Sequence, residues 1–393
     1  MFAATRTKTS SLLLAPLVRF SAPAAAAPAV PAALVKKLRD ATGSPLMECK
    51  KALGAVLADG PLEDSPAMKA AIEWLRKKGT TLAASKSSRA AKEGVVVFAV
   101  SKDKKTGALL EVNCETDFVS RNSTFLAYAV RSAIAAVDNA PALSAAAAPD
   151  AAFNFKAADV EALKVCALPA GPAAMPASAA AADNNVAQEL VDVVSTLREN
   201  IKVRRGAFVS LANSGNANGF VASYVHNELP IPVELQPYLD TVAGQGYEVR
   251  FGGSAAVAAV ATSATEAPDA ELSDLARKVA MQAVAGRPEY LARANVPAEL
   301  LAKEREIIMA APETAGKKAD IVDRLVEGKL GKFYEAAVLV DQVFLITNDT
   351  KRPKVGELLA RNAAKPVVAQ LARFTRGEPV AGEEEEPAPE ASA

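Results

Sequence analysis

Apolar residues recur along this chain with two periods, one helical and one extended. Leu34, Val35 and Leu38 share a helical face, interrupted at Thr42-Gly43-Ser44-Pro45. Met47, Ala52, Leu53 and Val56 resume the period, and Ala71, Ile72, Trp74 and Leu75 give a third segment ending before Gly79. Val95 to Val100 and Ala108 to Val112 are short apolar runs joined by the Lys/Asp-rich stretch Ser101 to Gly107, which predicts a β-hairpin. Phe125, Leu126, Ala129, Val130, Ile134 and Val137 then return to helical spacing, with Asn122 or Ser123 as N-cap.

The two-period pattern repeats further on. Val186, Leu190, Val193, Val194, Leu197 and Ile201 form a helical stripe. Ala207 to Ala212, a turn at Asn213 to Gly219, and Phe220 to His226 predict a second hairpin, followed by a strand Ala256 to Ala261. A helix carrying Leu272, Leu275, Ala276, Val279 and Ala283 completes that unit. Hairpin then helix, twice over, predicts an α+β protein with a two-part core of antiparallel sheets and helices. Pro297 opens a helix with Leu300, Leu301, Ile307 and Ile308 on one side. After a break at Pro312 to Gly316, Ile321, Val322, Leu325 and Val326 run to a stop at Gly328, giving an inserted antiparallel helical hairpin. Val338 to Ile346 reads as a further strand.

These elements divide the chain into eight stretches. A transit peptide and leader over 1–32 precede a three-helix module over 33–79 and a basic linker over 80–93. A first core half over 94–226 carries an Ala/Pro-rich insertion, 139–182, with a helical island at Val160 to Val165, expected to be a partly disordered expansion. A second core half over 227–285, a helical hairpin over 286–330, a return to the core over 331–376 and an acidic disordered tail over 377–393 complete the chain.

Composition narrows the function. The 393 residues hold 45 Lys+Arg against 45 Asp+Glu, so the basic excess of a general nucleic-acid binder is missing. The segment 76–92, with Arg76, Lys77, Lys78, Lys86, Arg89 and Lys92 and no acid, keeps open an RNA- or ribosome-associated alternative, though no aromatic residue is interleaved to stack bases. One histidine and three widely spaced cysteines supply little for a metal site or a disulfide framework. No phosphate loop or nucleophile elbow occurs, so no cofactor, no direct nucleotide binding and no covalent chemistry are expected. No apolar run is long enough to predict a membrane span. Residues 1 to 32 carry Arg6, Lys8 and Arg19, and the first acidic residue is Asp40. An acid-free start of this kind predicts an organellar transit peptide cleaved near Arg19-Phe20-Ser21, to mitochondria or, alternatively, plastids.

The stretch Glu111-Val112-Asn113-Cys114-Glu115-Thr116-Asp117-Phe118-Val119 sits where the first sheet hands over to a helix. Spacing alone favours a capping Thr/Asp pair with Phe118 folded into the core; the other reading is an aromatic wedge with a charged tip. Val-Asn-Cys-Glu-Thr-Asp-Phe-Val resembles the signature of the elongation factor Ts family, the guanine-nucleotide exchange factors for elongation factor Tu. Two further blocks resemble the same family. One is Leu34 to Arg39 with Thr42-Gly43 and Met47 to Leu53; the other is Arg198-Glu199-Asn200-Ile201-Lys202-Val203-Arg204-Arg205.

The resemblance covers most of residues 33 to 374 and implies several things. The three-helix module would be ubiquitin-associated-like and dock on the G domain of Tu, with Leu38, Arg39, Met47, Lys50 and Lys51 as docking residues. Thr116, Asp117, Phe118 and Val119 would form the exchange wedge, with Asp117 and Phe118 entering the G domain near its magnesium site and disturbing the ion's water shell. His226 matches a family histidine at the same surface. Mitochondrial Tu is the implied partner. The C-terminal helix usual in the family's bacterial members is not legible after Arg376.

Overall fold

The computed structural model describes residues 30–58, 63–145, 147–172, 184–211, 218–263, 268–314, 317–347 and 350–380. Residues 1–29 of the expected 1–32 leader and most of the acidic tail, 381–393, lie outside these residues. Helices α1 (Ala32–Thr42), α2 (Leu46–Ala58) and α3 (Asp64–Lys86) open the described chain. Leu34, Val35, Leu38, Cys49, Ala52, Leu53, Ala67 and Ala71 bury one small core between them. Gly43 ends α1 in the left-handed conformation, φ 67°, its N–H bonded to Arg39 O at 2.7 Å.

The expected stop before Gly79 does not occur: α3 runs on to Lys86 and takes up half of the supposed linker. Gly79 is there for contact, since a Cβ at that position would lie 2.4 Å from Ser195 Oγ and 2.9 Å from Val191 Cγ1. Both partners belong to the helix Val186–Leu197. A side chain at Gly79 would hold the two helices apart.

Seven strands form one antiparallel sheet: β1 (Glu93–Val100), β2 (Thr106–Cys114), β3 (Lys156–Ala157), β4 (Lys202–Ser210), β5 (Gly219–Glu228), β6 (Glu248–Ala261) and β7 (Val367–Thr375). The order is β3-β4-β2-β1-β6-β5, with β7 also pairing β6. β1 and β2 form the expected hairpin, in register from Glu93↔Cys114 to Val100↔Gly107. The expected second hairpin is different. β4 and β5 do not pair; β4 lies against β2 and β3, and β5 against β6. Arg204 and Arg205 of β4 bond to a buried carboxylate on β2, which fixes β4 there. The second hairpin–helix unit is therefore β5, β6 and a helix over Ala270–Gly286.

The two halves of the core share β6, whose fourteen residues pair with β1 at one end and with β7 at the other. Gly252 lies near the change of partner. A Cβ there would meet Val225 Cγ2 at 2.7 Å and the carbonyls of His226 and Asn227 at 2.8 Å. Alternate residues of β1, β2, β4, β5, β6 and β7, among them Phe98, Leu109, Val209, Val221, Val257 and Phe374, pack into one cluster. The opposite face of the first half is covered by α4 (Asp117–Ser120), α5 (Ser123–Asp138), α6 (Ala140–Leu143), α7 (Val160–Leu163), α8 (Val186–Leu197) and α9 (Gln236–Gly244). That of the second half is covered by α10 (Ala270–Gly286). Asn122, not Ser123, caps α5, its side chain accepting from Thr124 N at 2.9 Å.

The insertion is not an appendage over its described residues. β3 pairs with β4, and Leu143, Leu163 and Leu168 are buried in the core. Pro169 O accepts a 2.8 Å bond from Nε of Arg131, a wholly buried residue of α5 that also pairs with Glu189. A buried guanidinium needs such partners, so this stretch folds where composition suggests a loose one. Residues 173–183 are outside the described set.

The helical hairpin is α11 (Ala298–Ala310) and α12 (Ala319–Ala337). Ile308, Val326 and Leu330 pack between them while Ile307 faces outward, because neighbours in a helix point about 100° apart. α12 continues through Gly328 to Ala337. Val338 to Ile346 is a 3-10 turn at Leu339–Asp341 and irregular chain, not a strand. Gln282 and Gln342 supply the hydrogen bonds there, Gln342 Nε2 donating to Gly286 O and Ala336 O at 2.9 Å. A short helix α13 (Val355–Arg361) then leads to β7, and Glu378, assigned to the tail by composition, is bound to the core.

Where α3 meets α8, burial pushes the Asp192 carboxyl up to about 6, and Arg76 pulls it partly back. The unfolded value is about 3.9, so the folded state holds an extra proton between roughly pH 4 and 6. Its contribution to stability is fully present below about pH 4 and is lost as pH rises through about 6. Asp192→Asn is therefore expected to raise the melting temperature at pH 7.5, by about 1–3 kcal/mol of stability, and to leave it unchanged near pH 4. Thermal melts at both pH values check this; an equal effect at both would contradict it.

Candidate functional site

β2 ends at Cys114, and the chain turns at once into the single helical turn α4. Cys114 is buried, and burial pushes its thiol up to about 12, so it is no nucleophile. Its Sγ instead donates to Thr116 O at 3.1 Å. Thr116 is the N-cap of α4, its Oγ1 accepting from Val119 N at 3.4 Å. Ser120 Oγ closes the turn with a 2.7 Å bond to Asp117 O. Val119 packs against the core. Phe118 does not: it is 83% exposed, which decides between the two readings of the motif in favour of a projecting aromatic. Asp117 beside it is exposed, with Arg121 Nη2 3.9 Å from its carboxylate.

The block Arg198 to Arg205 packs against this motif. Glu199 Oε2 accepts from the N–H groups of Glu115 and Thr116, both at 3.0 Å, and its Oε1 accepts from the Thr116 hydroxyl at 2.6 Å. Glu115 Oε1 in turn accepts from Asn200 N at 2.6 Å. Glu111, fully buried in β2, pairs with Arg204 Nη1 at 3.1 Å and Arg205 Nε at 2.7 Å, and accepts from Gly377 N at 2.8 Å. Arg205 also meets Glu378 at 2.9 Å and lies over the Phe374 ring at 4.1 Å. Glu199 was not singled out by sequence pattern, since a glutamate after a helix end has the look of a solvated charge.

The other candidate residues are scattered. His226 is exposed on β5, its Nδ1 3.2 Å from Tyr224 Oη. Sheet register places it at the end from which β2 leaves for Thr116, but three strands across. On the N-terminal module Arg39, Met47, Lys50 and Lys51 are exposed, Met47 at 60%. Lys51 pairs with Glu48 at 3.4 Å. Leu38 is wholly buried among α1, α2 and α3, so its side chain offers no surface for the docking role expected of it. The basic segment 76–92 is largely engaged within the chain. Lys77 meets Glu73 at 2.8 Å, Lys78 meets Glu48 at 2.5 Å, Arg89 meets Glu115 at 3.5 Å, and Lys86 is buried.

A sequence model of the family described as Elongation factor TS matches residues 115–378. The chain is 34% identical over 365 residues to elongation factor Ts of Rhodospirillum rubrum, covering 93% of this chain and 98% of that protein. It is 34% identical over 364 residues to that of Gluconobacter oxydans and 36% over 367 to that of Saccharophagus degradans, with 93% of this chain and 97% of each relative covered. The chain belongs to the elongation factor Ts family. The exposed Asp117-Phe118 turn and the docked Arg198–Arg205 block are thus features of an elongation factor Ts fold.

A buried carboxylate held by two guanidinium groups costs most when one partner is removed. Glu111→Ala takes the buried carboxylate from both Arg204 and Arg205, leaving them their bonds to Glu378, and is expected to destabilise the fold by about 3–5 kcal/mol. Urea unfolding followed by circular dichroism measures this; a loss under about 1 kcal/mol would mean that the cluster is solvated.

Proposed function

We propose that this chain is a guanine-nucleotide exchange factor that binds elongation factor Tu in its GDP-bound form and promotes GDP release so that GTP can enter. Family membership supports the activity, and the observation that carries the mechanism is Phe118, 83% exposed on a turn fixed at both ends. In this reading Thr116 and Val119 hold the turn, and Asp117 and Phe118 enter the G domain of Tu and disturb its magnesium and phosphate site. No bond of the nucleotide is made or broken. An exchange factor works by favouring the nucleotide-free state of its partner over the loaded one. A thousandfold acceleration needs about 4 kcal/mol off the barrier, and burying one phenylalanine yields about 1.5–3 kcal/mol. Asp117 at the ion, His226, and the docking surface of Arg39, Met47, Lys50 and Lys51 are assigned the remainder.

We further propose that the protein acts in the mitochondrial matrix on mitochondrial Tu, after removal of a transit peptide. The support is the acid-free start with Arg6, Lys8 and Arg19. N-terminal sequencing of the native protein is expected to find a start between about residues 20 and 33; a start at residue 1 would overturn this.

Because Phe118 contributes nothing to the core, replacing Asp117 and Phe118 by Ala is expected to leave the fold intact. Release of labelled GDP from Tu at saturating factor should slow by about 10- to 100-fold. Loss of the folded circular-dichroism signal together with activity would return Phe118 to the core. Linkage supplies a second check: if the chain lowers the affinity of Tu for GDP, GDP lowers the affinity of Tu for the chain by the same factor. Size-exclusion chromatography should therefore show a stable complex with nucleotide-free Tu that excess GDP with magnesium takes apart. A complex indifferent to GDP would rule out exchange.

A further inference from the structure

Phe118 projects from the protein, so nothing on its own side chain fixes where it points. Its direction is set by the backbone from Glu115 to Val119, and that backbone is held from outside the turn. Glu199 supplies the grip. Three donors converge on its two carboxylate oxygens: the N–H groups of Glu115 and Thr116, and the Thr116 hydroxyl. A hydroxyl has one proton to give and lone pairs to receive. With its proton committed to Glu199, Thr116 Oγ1 offers only acceptor capacity toward α4, where Val119 N–H bonds to it. The carboxylate thus sets the polarity of the cap as well as the position of the chain entering it.

Glu199 is itself held. Arg198, in the left-handed conformation at φ 60°, ends α8 and pairs with Glu48 of α2 at 3.4 Å. Asn200 N–H bonds to Glu115, and its Nδ2 donates to Ser87 O at 3.3 Å and Arg89 O at 2.6 Å. Three consecutive residues therefore fasten the N-terminal module, the turn that bears Phe118, and the segment leading into β1.

We infer that Glu199 is the positioning residue of the exchange wedge: it aims Asp117 and Phe118 through Thr116 without touching Tu. This rests on the wedge reading above. A glutamine at 199 has a single acceptor oxygen for three donors, and its amide NH2 turns a donor toward at least one of them. Charge-assisted bonds of this kind are about twice as strong as neutral ones. The turn would stay folded and lose its aim.

The test is stopped-flow release of labelled GDP from Tu across a range of factor concentrations. For Glu199→Gln and for Thr116→Val, the maximal rate is expected to fall about tenfold, about 1.4 kcal/mol, with the half-saturating concentration changed less than about twofold. The double variant should be slowed by clearly less than the product of the two single losses, because the two substitutions share the Thr116 Oγ1–Glu199 bond while each also removes bonds of its own. Thr116→Ser, which keeps the hydroxyl, should restore most of what Thr116→Val loses. A merely structural role would instead raise the half-saturating concentration or give additive losses. If Glu199→Gln fails to fold by circular dichroism, Thr116→Val, which removes one hydroxyl and keeps the shape, carries the test. The Asp117→Ala, Phe118→Ala protein run alongside separates the two ideas. If it releases GDP at full rate, the wedge itself is wrong. If it is slow while Glu199→Gln and Thr116→Val reach the full maximal rate, the wedge stands and the positioning role of Glu199 is overturned.

Discussion

The carboxylate of Glu111 is the point on which the core depends. A charge in a fully buried strand position must be neutralised and hydrogen-bonded, or its desolvation outweighs the packing around it. Its partners come from far apart in the chain: Arg204 and Arg205 on β4, and the backbone N–H of Gly377 just after β7. Meeting them brings β2, β4 and the end of β7 together at one spot. Four residues further along the same chain, Glu115 and its neighbour Thr116 meet Glu199 and Asn200, from the block that carries the two arginines. One signature block is thus the structural complement of another, and the turn that presents Phe118 is built on their contact.

Much of this was legible in sequence, for identifiable reasons. The β1–β2 hairpin and α5 have clean periods and a polar connection or an Asn cap, so local chemistry and tertiary packing agree. The pairing of β4 with β2 was not legible. The apolar run Ala207 to Ala212 lies next in sequence to Phe220 to His226, and what overrides proximity is an ion pair across ninety-odd residues. Gly79 and Gly328 read as stops, yet one fills a helix contact and the other sits in continuous helix. Composition does not show that the described part of the Ala/Pro stretch packs on the core, where Pro169 serves a buried arginine. At the site, spacing alone favours Phe118 in the core, and its exposure overturns that. Glu199 was invisible because two of its three partners are backbone N–H groups, which have no letter in the sequence.

The N-terminal module and the core meet along α3 and α8, where small, apolar and charged residues all contribute. Gly79 against Ser195 sets how closely α3 and α8 approach, and Arg198 to Glu48 adds an ion pair at 3.4 Å. The exposed Met47 therefore lies on a body whose placement relative to Phe118 is fixed by a few contacts. On the reading proposed above, affinity and exchange then reside on separate surfaces of one chain that stay in register.

The bond from Gly377 to Glu111 spans 266 positions. Ribosomes deliver β2 long before β7, so a nascent chain carries the signature motif for most of its synthesis with the charge of Glu111 only partly compensated. Closing so large a loop is entropically slow. Maturation of the core therefore waits for β7 to emerge, and a polypeptide cut short before it would display the right motif on an unfinished scaffold. Such fragments present a loose edge on β6 and are natural prey for chaperones and proteases. Synthesis through β7 is in this way a condition that the architecture sets for a finished motif.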